Sequence, residues 1–183
     1  MSKKKFDDFL KSEEQKKKPA VDWEGEKRKW FEHLDKLYGD IQEWLKEYII
    51  SHKLKLEFND IEIYEEALGT YSVKELKIFI GDKIATLTPK GTILIGTKGR
   101  VDLKGKAGNV KFILADKKAT GPKFEIKINW SGEEKHKDSK TDKIKPKPQI
   151  DWTWKITSNP PSIKYTELNQ DTFLQCLLEV IND

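Results

Sequence analysis

Residues 89–130 read PKGTILIGTKGRVDLKGKAGNVKFILADKKATGPKFEIKINW, and this stretch decides the fold. Its short runs of alternating apolar and polar residues, such as Val110, Phe112 and Leu114, are typical of half-buried antiparallel strands. Glycines separate the runs, and glycine permits the tight turns that join neighbouring strands. These glycines are Gly91, Gly96, Gly99, Gly105, Gly108 and Gly121. The stretch therefore predicts a β-meander, in which each strand pairs with the next along the chain.

The same alternation occurs on both sides, which extends the predicted antiparallel sheet over residues 53–157. Turn-forming residues divide the runs, and we expect turns at Asn59-Asp60, Gly81-Asp82 and Pro89–Gly91. About nine strands are predicted, at 54–58, 61–63, 76–80, 84–87, 93–95, 101–103, 110–114, 124–130 and 150–156. The last two have the same length and period and are expected to pair. Such a sheet is predicted to be strongly twisted or barrel-like.

One helix is predicted before the sheet in the chain and one after it. Residues 23–52 carry an apolar residue at every third or fourth position, as at Leu34 and Leu37, which predicts a long amphipathic helix. A short C-terminal helix is predicted over 169–181, because Asn169 is a suitable N-cap for the apolar run that follows. The fold class is therefore α+β, an antiparallel β-meander packed against a long N-terminal helix and a short C-terminal helix.

Two segments are too polar to contribute to a core. Residues 1–22 are rich in lysine and acidic residues and are predicted to form a disordered charged tail. Residues 131–149 contain six lysines and two prolines and are predicted to form a mobile loop within the sheet. Residues 23–183 are then expected to fold as a single α+β domain.

The composition limits the classes of protein that need to be considered. No apolar run is long enough to cross a bilayer, the first residues lack the apolar region of a signal peptide, and no membrane association is expected. Cys176 is the only cysteine, so no disulfide framework is possible and a reducing cytoplasm is the expected location. The net charge of +4 is too small to indicate nucleic acid by itself.

Catalytic patterns are weak throughout the chain. His33, His52 and His136 have no further ligand at metal-binding spacing, so neither a metal nor a cofactor is expected. Cys176 fits a small buried side chain better than a nucleophile. A metal-dependent nuclease stays open as an alternative, because Glu125 and Lys127 with Asp102 or Asp116 would supply two carboxylates and a lysine. We nevertheless expect a protein that is not an enzyme.

Basic residues in the glycine-rich strands, 89–127, favour a second alternative, a nucleic-acid-binding module. Because consecutive turns of a meander fall at opposite ends of the sheet, Lys98 is predicted at one end. Lys90, Lys104 and Lys106 are predicted at the other end. Arginine, the residue best suited to bidentate phosphate contacts, occurs only once in this set. The candidate nucleic-acid-binding residues are Lys90, Lys98, Arg100, Lys104 and Lys106.

Six tryptophans remain to be explained, three near the long helix and three in the last predicted strand pair. They fit an aromatic core in which the helix crosses that strand pair, an exposed anchor for another protein, or the lining of a barrel that carries a small apolar ligand. The candidate partner-binding residues are Trp30, Trp44, Tyr48, Trp130, Trp152 and Trp154. The function that we expect is a small, non-catalytic cytoplasmic interaction or regulatory protein, of a bacterial type, that binds a protein partner or itself.

Overall fold

The computed structural model describes residues 22–92, 97–122 and 150–182. These residues form two helices and a seven-stranded antiparallel sheet in which the strands lie side by side in chain order. The α+β class and the meander are therefore confirmed. The elements are α1 (Trp23–Ile50), β1 (Lys55–Glu65), β2 (Gly69–Ile80), β3 (Lys83–Gly91), β4 (Arg100–Lys104), β5 (Asn109–Asp116), β6 (Trp152–Thr157), β7 (Tyr165–Glu167) and α2 (Gln170–Ile181).

The sheet differs from the prediction in its number of strands and in its shape. Within the described ranges, β1 and β7 each pair with one neighbour, so the seven strands form an open sheet and not a closed barrel. The predicted strands 93–95 and 124–130, the loop 131–149 and nearly all of the tail 1–22 lie outside the described residues. The short strand β7 has no clear alternation in the sequence and was not predicted.

The predicted turn at Asn59-Asp60 is wrong, because β1 continues through it. Asn59 pairs with Glu75 and Asp60 pairs with Lys74 in an unbroken ladder. The chain turns instead before Gly69, which adopts the positive φ of 71° that glycine tolerates best. The buried positions of β2 change from odd to even residue numbers across this region. The alternation of apolar and polar residues therefore changes phase within a continuous strand. In the sequence, this change resembles the end of one strand and the start of another.

The predicted turn at Pro89–Gly91 is also wrong. Both residues belong to β3, where they pair with β4 through a bulge. The Glu65 carboxylate holds this strand end, since it accepts hydrogen bonds from the backbone N–H and the Oγ1 of Thr92 at 2.9–3.0 Å. As a result, Lys90 lies at the same end of the sheet as Arg100 and not at the end predicted for it.

The core lies between α1, α2 and one face of the sheet. Leu34, Leu37, Ile41 and Leu45 form the buried stripe of α1. The ring centroids of Trp44 on α1 and Phe112 on β5 lie 5.6 and 6.2 Å from that of Phe173 on α2. α2 begins after Asn169, whose side chain accepts a hydrogen bond from the backbone N–H of Thr172, as expected of an N-cap.

Trp30 makes a close contact between α1 and the chain just before β4. Its side chain is 1% exposed and its ring lies against Gly99, just before β4. A methyl group at residue 99 would stand 2.7 Å from Trp30 Cε3 and would overlap the rest of the ring. Only a residue without a side chain leaves room for this contact.

We expect Gly99→Ala to destabilise the fold by about 1–3 kcal/mol, because the added methyl group would overlap the buried indole of Trp30 and force it to shift. Gly39→Ala is the matched control. Residue 39 is exposed in the middle of α1 with no atom within 4 Å of an added methyl group, so this change should stabilise the protein by about 0.5–1 kcal/mol. Urea unfolding of both variants measures the two effects, and equal midpoints would contradict the packing described for Trp30.

Candidate functional site

A pocket opens between the first turns of α1 and the sheet, with a volume of about 520 Å³. Trp23, Glu26, Trp30 and His33 line it from α1, and their spacing of three to four residues places them on one face of the helix. The sheet side is formed by Thr97, Lys98, Leu114, Ile150 and Trp152, while Lys29 and Thr92 complete the wall. We refer to this site as the tryptophan pocket.

The floor of the pocket is rigid and apolar. The Trp30 ring lies 5.9 Å from the ring of Trp154, which is also buried. Trp154 Nε1 donates a hydrogen bond to the carbonyl oxygen of His33 at 2.9 Å, which ties β6 to α1. Burial lowers the pKa of His33, so its imidazole is neutral at pH 7. Packing of the two indoles and the Trp154 hydrogen bond therefore make the floor part of the core of the protein.

The rim of the pocket exposes apolar surface. Trp23 is 40% exposed and Ile150 is 44% exposed, and both lie at the mouth of the cavity. Thr97 contributes a hydroxyl to the lining, and its Oγ1 is buried without a hydrogen-bond partner among the described residues. A ligand group that donates or accepts a hydrogen bond could satisfy this hydroxyl. The pocket thus combines an apolar mouth with a polar atom that has unused hydrogen-bonding capacity.

Charged side chains form one wall. Lys98 makes an ion pair with Glu26, and Lys29 Nζ lies 3.2 Å from Glu26 Oε1. The Lys98 ammonium also lies 5.8 Å from the centre of the Trp152 ring, within the range of a cation–π contact. The hydrogen bond from Lys98 lowers the pKa of Glu26 against the opposing effect of burial. One carboxylate thus serves two ammonium groups, which leaves this wall with a net positive charge.

The predicted partner-binding residues fall into two groups. Trp30, Trp152 and Trp154 come together at the tryptophan pocket, where Trp30 and Trp154 are buried and Trp152 is half-buried. Trp44 and Tyr48 lie toward the other end of α1, the first against Phe173 and the second on the surface. Trp130 lies outside the described residues.

The structure distributes the predicted nucleic-acid-binding residues over both ends of β4. Lys98 lines the tryptophan pocket, and Arg100 donates to both carboxylate oxygens of Asp102 at 2.6 and 2.7 Å. Lys90 is exposed near Arg100, whereas Lys104 and Lys106 lie at the opposite end of β4. Arg100 and Lys104 are four residues apart on one face of β4, which corresponds to about 13 Å.

Only some residues of the predicted nuclease site lie within the described ranges. Asp102 is occupied by Arg100, and Asp116 accepts a hydrogen bond from the backbone N–H of Lys118 at 2.9 Å. Glu125 and Lys127 lie outside the described residues. Across 22–92, 97–122 and 150–182, no three His, Cys, Asp or Glu side chains are grouped so that they could hold a metal ion.

Cys176 lies buried on α2. Burial, with a smaller contribution from Glu179, raises the pKa of its thiol to about 11. Because the thiolate is the nucleophilic form, very little of this cysteine is reactive at neutral pH. Its position fits the predicted role as a small core side chain.

The predicted partner-binding residues include Trp30 and Trp152 of the pocket, but they omit Trp23 and the polar residues around it. Glu26 and Lys29 share a helix face with Trp23 and Trp30, and that spacing was visible in the sequence. The presence of Thr97 in the pocket could not be predicted from spacing in the sequence, because it depends on which strand lies opposite α1.

No protein-family model matches the chain, and no match is found among the curated proteins or the solved structures. Among the described residues, neither helix is sufficiently long and apolar to cross a membrane. We therefore infer function from the geometry of the side chains.

The Glu26–Lys98 pair gives the stability a defined pH dependence. The folded-state pKa of Glu26 lies below its ordinary value of 4.5, so the pair stabilises the fold above that pH and its contribution disappears as the pH falls through the folded pKa. We expect Lys98→Met to cost about 0.5–1 kcal/mol at pH 7 and less at pH 3. Chemical unfolding at both pH values measures the difference, which should become independent of pH when Glu26→Gln is present in both proteins.

The raised pKa of Cys176 predicts slow alkylation. An accessible cysteine in an unfolded chain has a pKa of about 8.5, so we expect iodoacetamide at pH 7.5 to modify folded Cys176 at least about a hundredfold more slowly than the denatured protein. Mass spectrometry of timed samples gives both rates. Similar rates in the two states would show a reactive thiol and would contradict this assignment.

Proposed function

We propose that this protein is a non-catalytic interaction protein, and that the tryptophan pocket receives an apolar side chain of a partner protein. The observation that carries the proposal is the exposed Trp23 and Ile150 above a preformed floor of buried tryptophans. Binding energy in protein interfaces concentrates at well-packed, desolvated pockets, where aromatic residues are enriched. Because the tryptophans of the floor are already packed in the core, little conformational entropy would be lost there when a partner binds.

The charge on the wall indicates the chemistry of the partner. Lys29 and Lys98 share Glu26, so the excess positive charge favours a carboxylate beside the apolar anchor. Complementary charge at the rim of an interface mainly accelerates association and selects among partners. The preferred partner segment therefore carries a large apolar side chain followed or preceded by an acidic residue.

Several observations support binding over catalysis and over recognition of nucleic acid. The thiol of Cys176 has a pKa raised by burial, so little of it is in the nucleophilic form at neutral pH. Arg100 is paired with Asp102, so it is less available to phosphate. A cytoplasmic location remains part of the proposal, supported by the single cysteine.

A photo-crosslinking residue in place of Trp23 tests the proposal directly. Carried in the full chain, p-benzoylphenylalanine at this position should yield a discrete adduct with the partner or with a second copy, because Trp23 lies at the mouth of the pocket. The same residue in place of Ile84 is the matched control, since Ile84 is 48% exposed and does not line the pocket. Equal adducts at both positions would contradict the assignment.

A charge reversal then tests the chemistry of the pocket. Lys29→Glu should weaken binding of the cross-linked partner about tenfold, because it removes the positive wall. Lys36→Glu is its control, since both lysines are exposed partners of an ion pair on α1 and only Lys29 lines the pocket. A strictly monomeric protein that forms no adduct and copurifies with a small molecule would favour the ligand carrier instead.

A further inference from the structure

The first strand of the sheet has an open edge. β1 runs for eleven residues and pairs with β2 on one side only, and along its other side no described strand pairs with it. Such an edge presents a row of backbone N–H and C=O groups that can pair with another extended chain. Short edge strands limit this kind of pairing, but β1 is nearly as long as β2, which has twelve residues.

The two faces of β1 differ in their chemistry. Leu56, Ile61 and Ile63 are partly buried and pack against the core, so they mark the inner face of the strand. Lys55, next to Leu56, and Glu62, between the two isoleucines, are exposed and lie on the outer face, because side chains alternate along a strand. The inner face therefore carries apolar side chains that the protein alone covers only in part.

The charge on β1 changes sign along the strand. Lys53 and Lys55 lie at its start, whereas Glu62 and Glu66 lie at its end. Within the described ranges, no ion pair engages Lys53, Glu62 or Glu66. A second copy that runs antiparallel to the first places the basic end of each strand beside the acidic end of the other, and such cross-strand pairs are stabilising. A parallel copy would bring like charges together.

One antiparallel register joins like faces and opposite charges. Inner side chains meet across the two edges when Leu56 of one copy lies opposite Ile61 of the other. The same register places Lys55 opposite Glu62 on the outer face. Because a two-fold axis relates the copies, each of these pairs occurs twice.

The middle of the strand is compatible with this register. Glu57 of one copy would lie opposite Asp60 of the other, but each carboxylate has an ammonium group beside it. Lys55 Nζ lies 3.6 Å from Glu57, and Lys74 Nζ lies 2.8 Å from the second carboxylate. Phe58 would lie beside the two-fold axis, and its side chain is 37% exposed. A second copy would therefore cover an exposed aromatic ring at the centre of the contact.

We propose that two copies of this protein join through their β1 edges as a two-fold symmetric dimer, in which Lys55 of each copy lies opposite Glu62 of the other. Main-chain hydrogen bonds extend the sheet from one copy into the next, and the ion pairs select the antiparallel direction. The tryptophan pocket is lined by α1 and by residues from 92 onward. A partner in that pocket and a second copy at β1 would thus contact different residues, and the dimer does not depend on the proposed function of the pocket.

Charge reversal across the interface tests the proposal on the full chain. We expect sedimentation velocity to show a dimer whose dissociation constant increases at least about tenfold in Lys55→Glu and in Glu62→Lys, because each change brings like charges together twice. An equimolar mixture of the two variants should recover the dimer, since one copy then carries glutamate at both positions and the other carries lysine. With one variant ¹⁵N-labelled, native mass spectrometry should show one copy of each in the recovered dimer.

The other edge of the sheet supplies the matched control. Lys164 and Glu167 are exposed, the first just before β7 and the second within it, so Lys164→Glu and Glu167→Lys should leave the dissociation constant unchanged. Hydrogen exchange gives an independent measurement, because protection of the β1 amides should increase with protein concentration.

Three results would overturn the proposal: a protein that is monomeric at millimolar concentration, a dimer that withstands either single charge reversal on β1, or a mixture that does not recover the dimer. Protection of β1 that is independent of protein concentration would show that another part of the same chain covers the edge, and it would also overturn the proposal.

Discussion

The contact between Trp30 and Gly99 sets the distance between α1 and the sheet. The indole occupies the space in which any other residue at position 99 would place its side chain. With the helix held at this distance, Trp154 can reach the backbone of α1 and donate to the carbonyl oxygen of His33. The tryptophan pocket is the part of this interface that the three indoles Trp23, Trp30 and Trp152 leave unfilled. Its shape therefore follows from how the core packs, and a partner would meet a surface that is already ordered.

A second constraint acts beside the tryptophan pocket, where Thr92 lines its wall. The carboxylate of Glu65, at the end of β1, accepts hydrogen bonds from Thr92, just beyond β3, and from the hydroxyl of Tyr71 on β2. Burial and the neighbouring carboxylate raise the pKa of Tyr71, so its hydroxyl keeps the proton that it donates. Gly91 lies against this carboxylate with a φ of 118°, where a side chain would be both strained and too close to Glu65. Three successive strands are thereby joined at one point, which holds the long edge strand β1 in place.

The sequence was sufficient for the parts of the fold that depend on local periodicity. Helical spacing predicted α1 from Trp23 to within two residues of its end, and Asn169 correctly marked the start of α2. Gly81 was correctly assigned to a two-residue turn, because a positive φ there is cheapest for glycine. Asn59 and Asp60 misled the prediction, since a change of phase within a continuous strand and a turn look alike in a single sequence. The candidate site was predictable only in part. Its tryptophans are visible in the sequence, whereas the pairing of Lys98 with Glu26 depends on strand register and on the position of the helix.

The order of the strands has a kinetic consequence. Five of the six ladders join strands separated by eight residues or fewer, so each closes only a short loop. The bond from Trp154 to His33, in contrast, joins residues 121 positions apart, and the entropy lost on loop closure increases with that separation. The neighbouring strands of the meander should therefore pair early in folding, and the first helix should dock onto them near the end. Contacts that form after the rate-limiting step of folding mainly affect the rate of unfolding. The packing of the Trp30 indole would therefore slow unfolding and have little influence on the rate of folding.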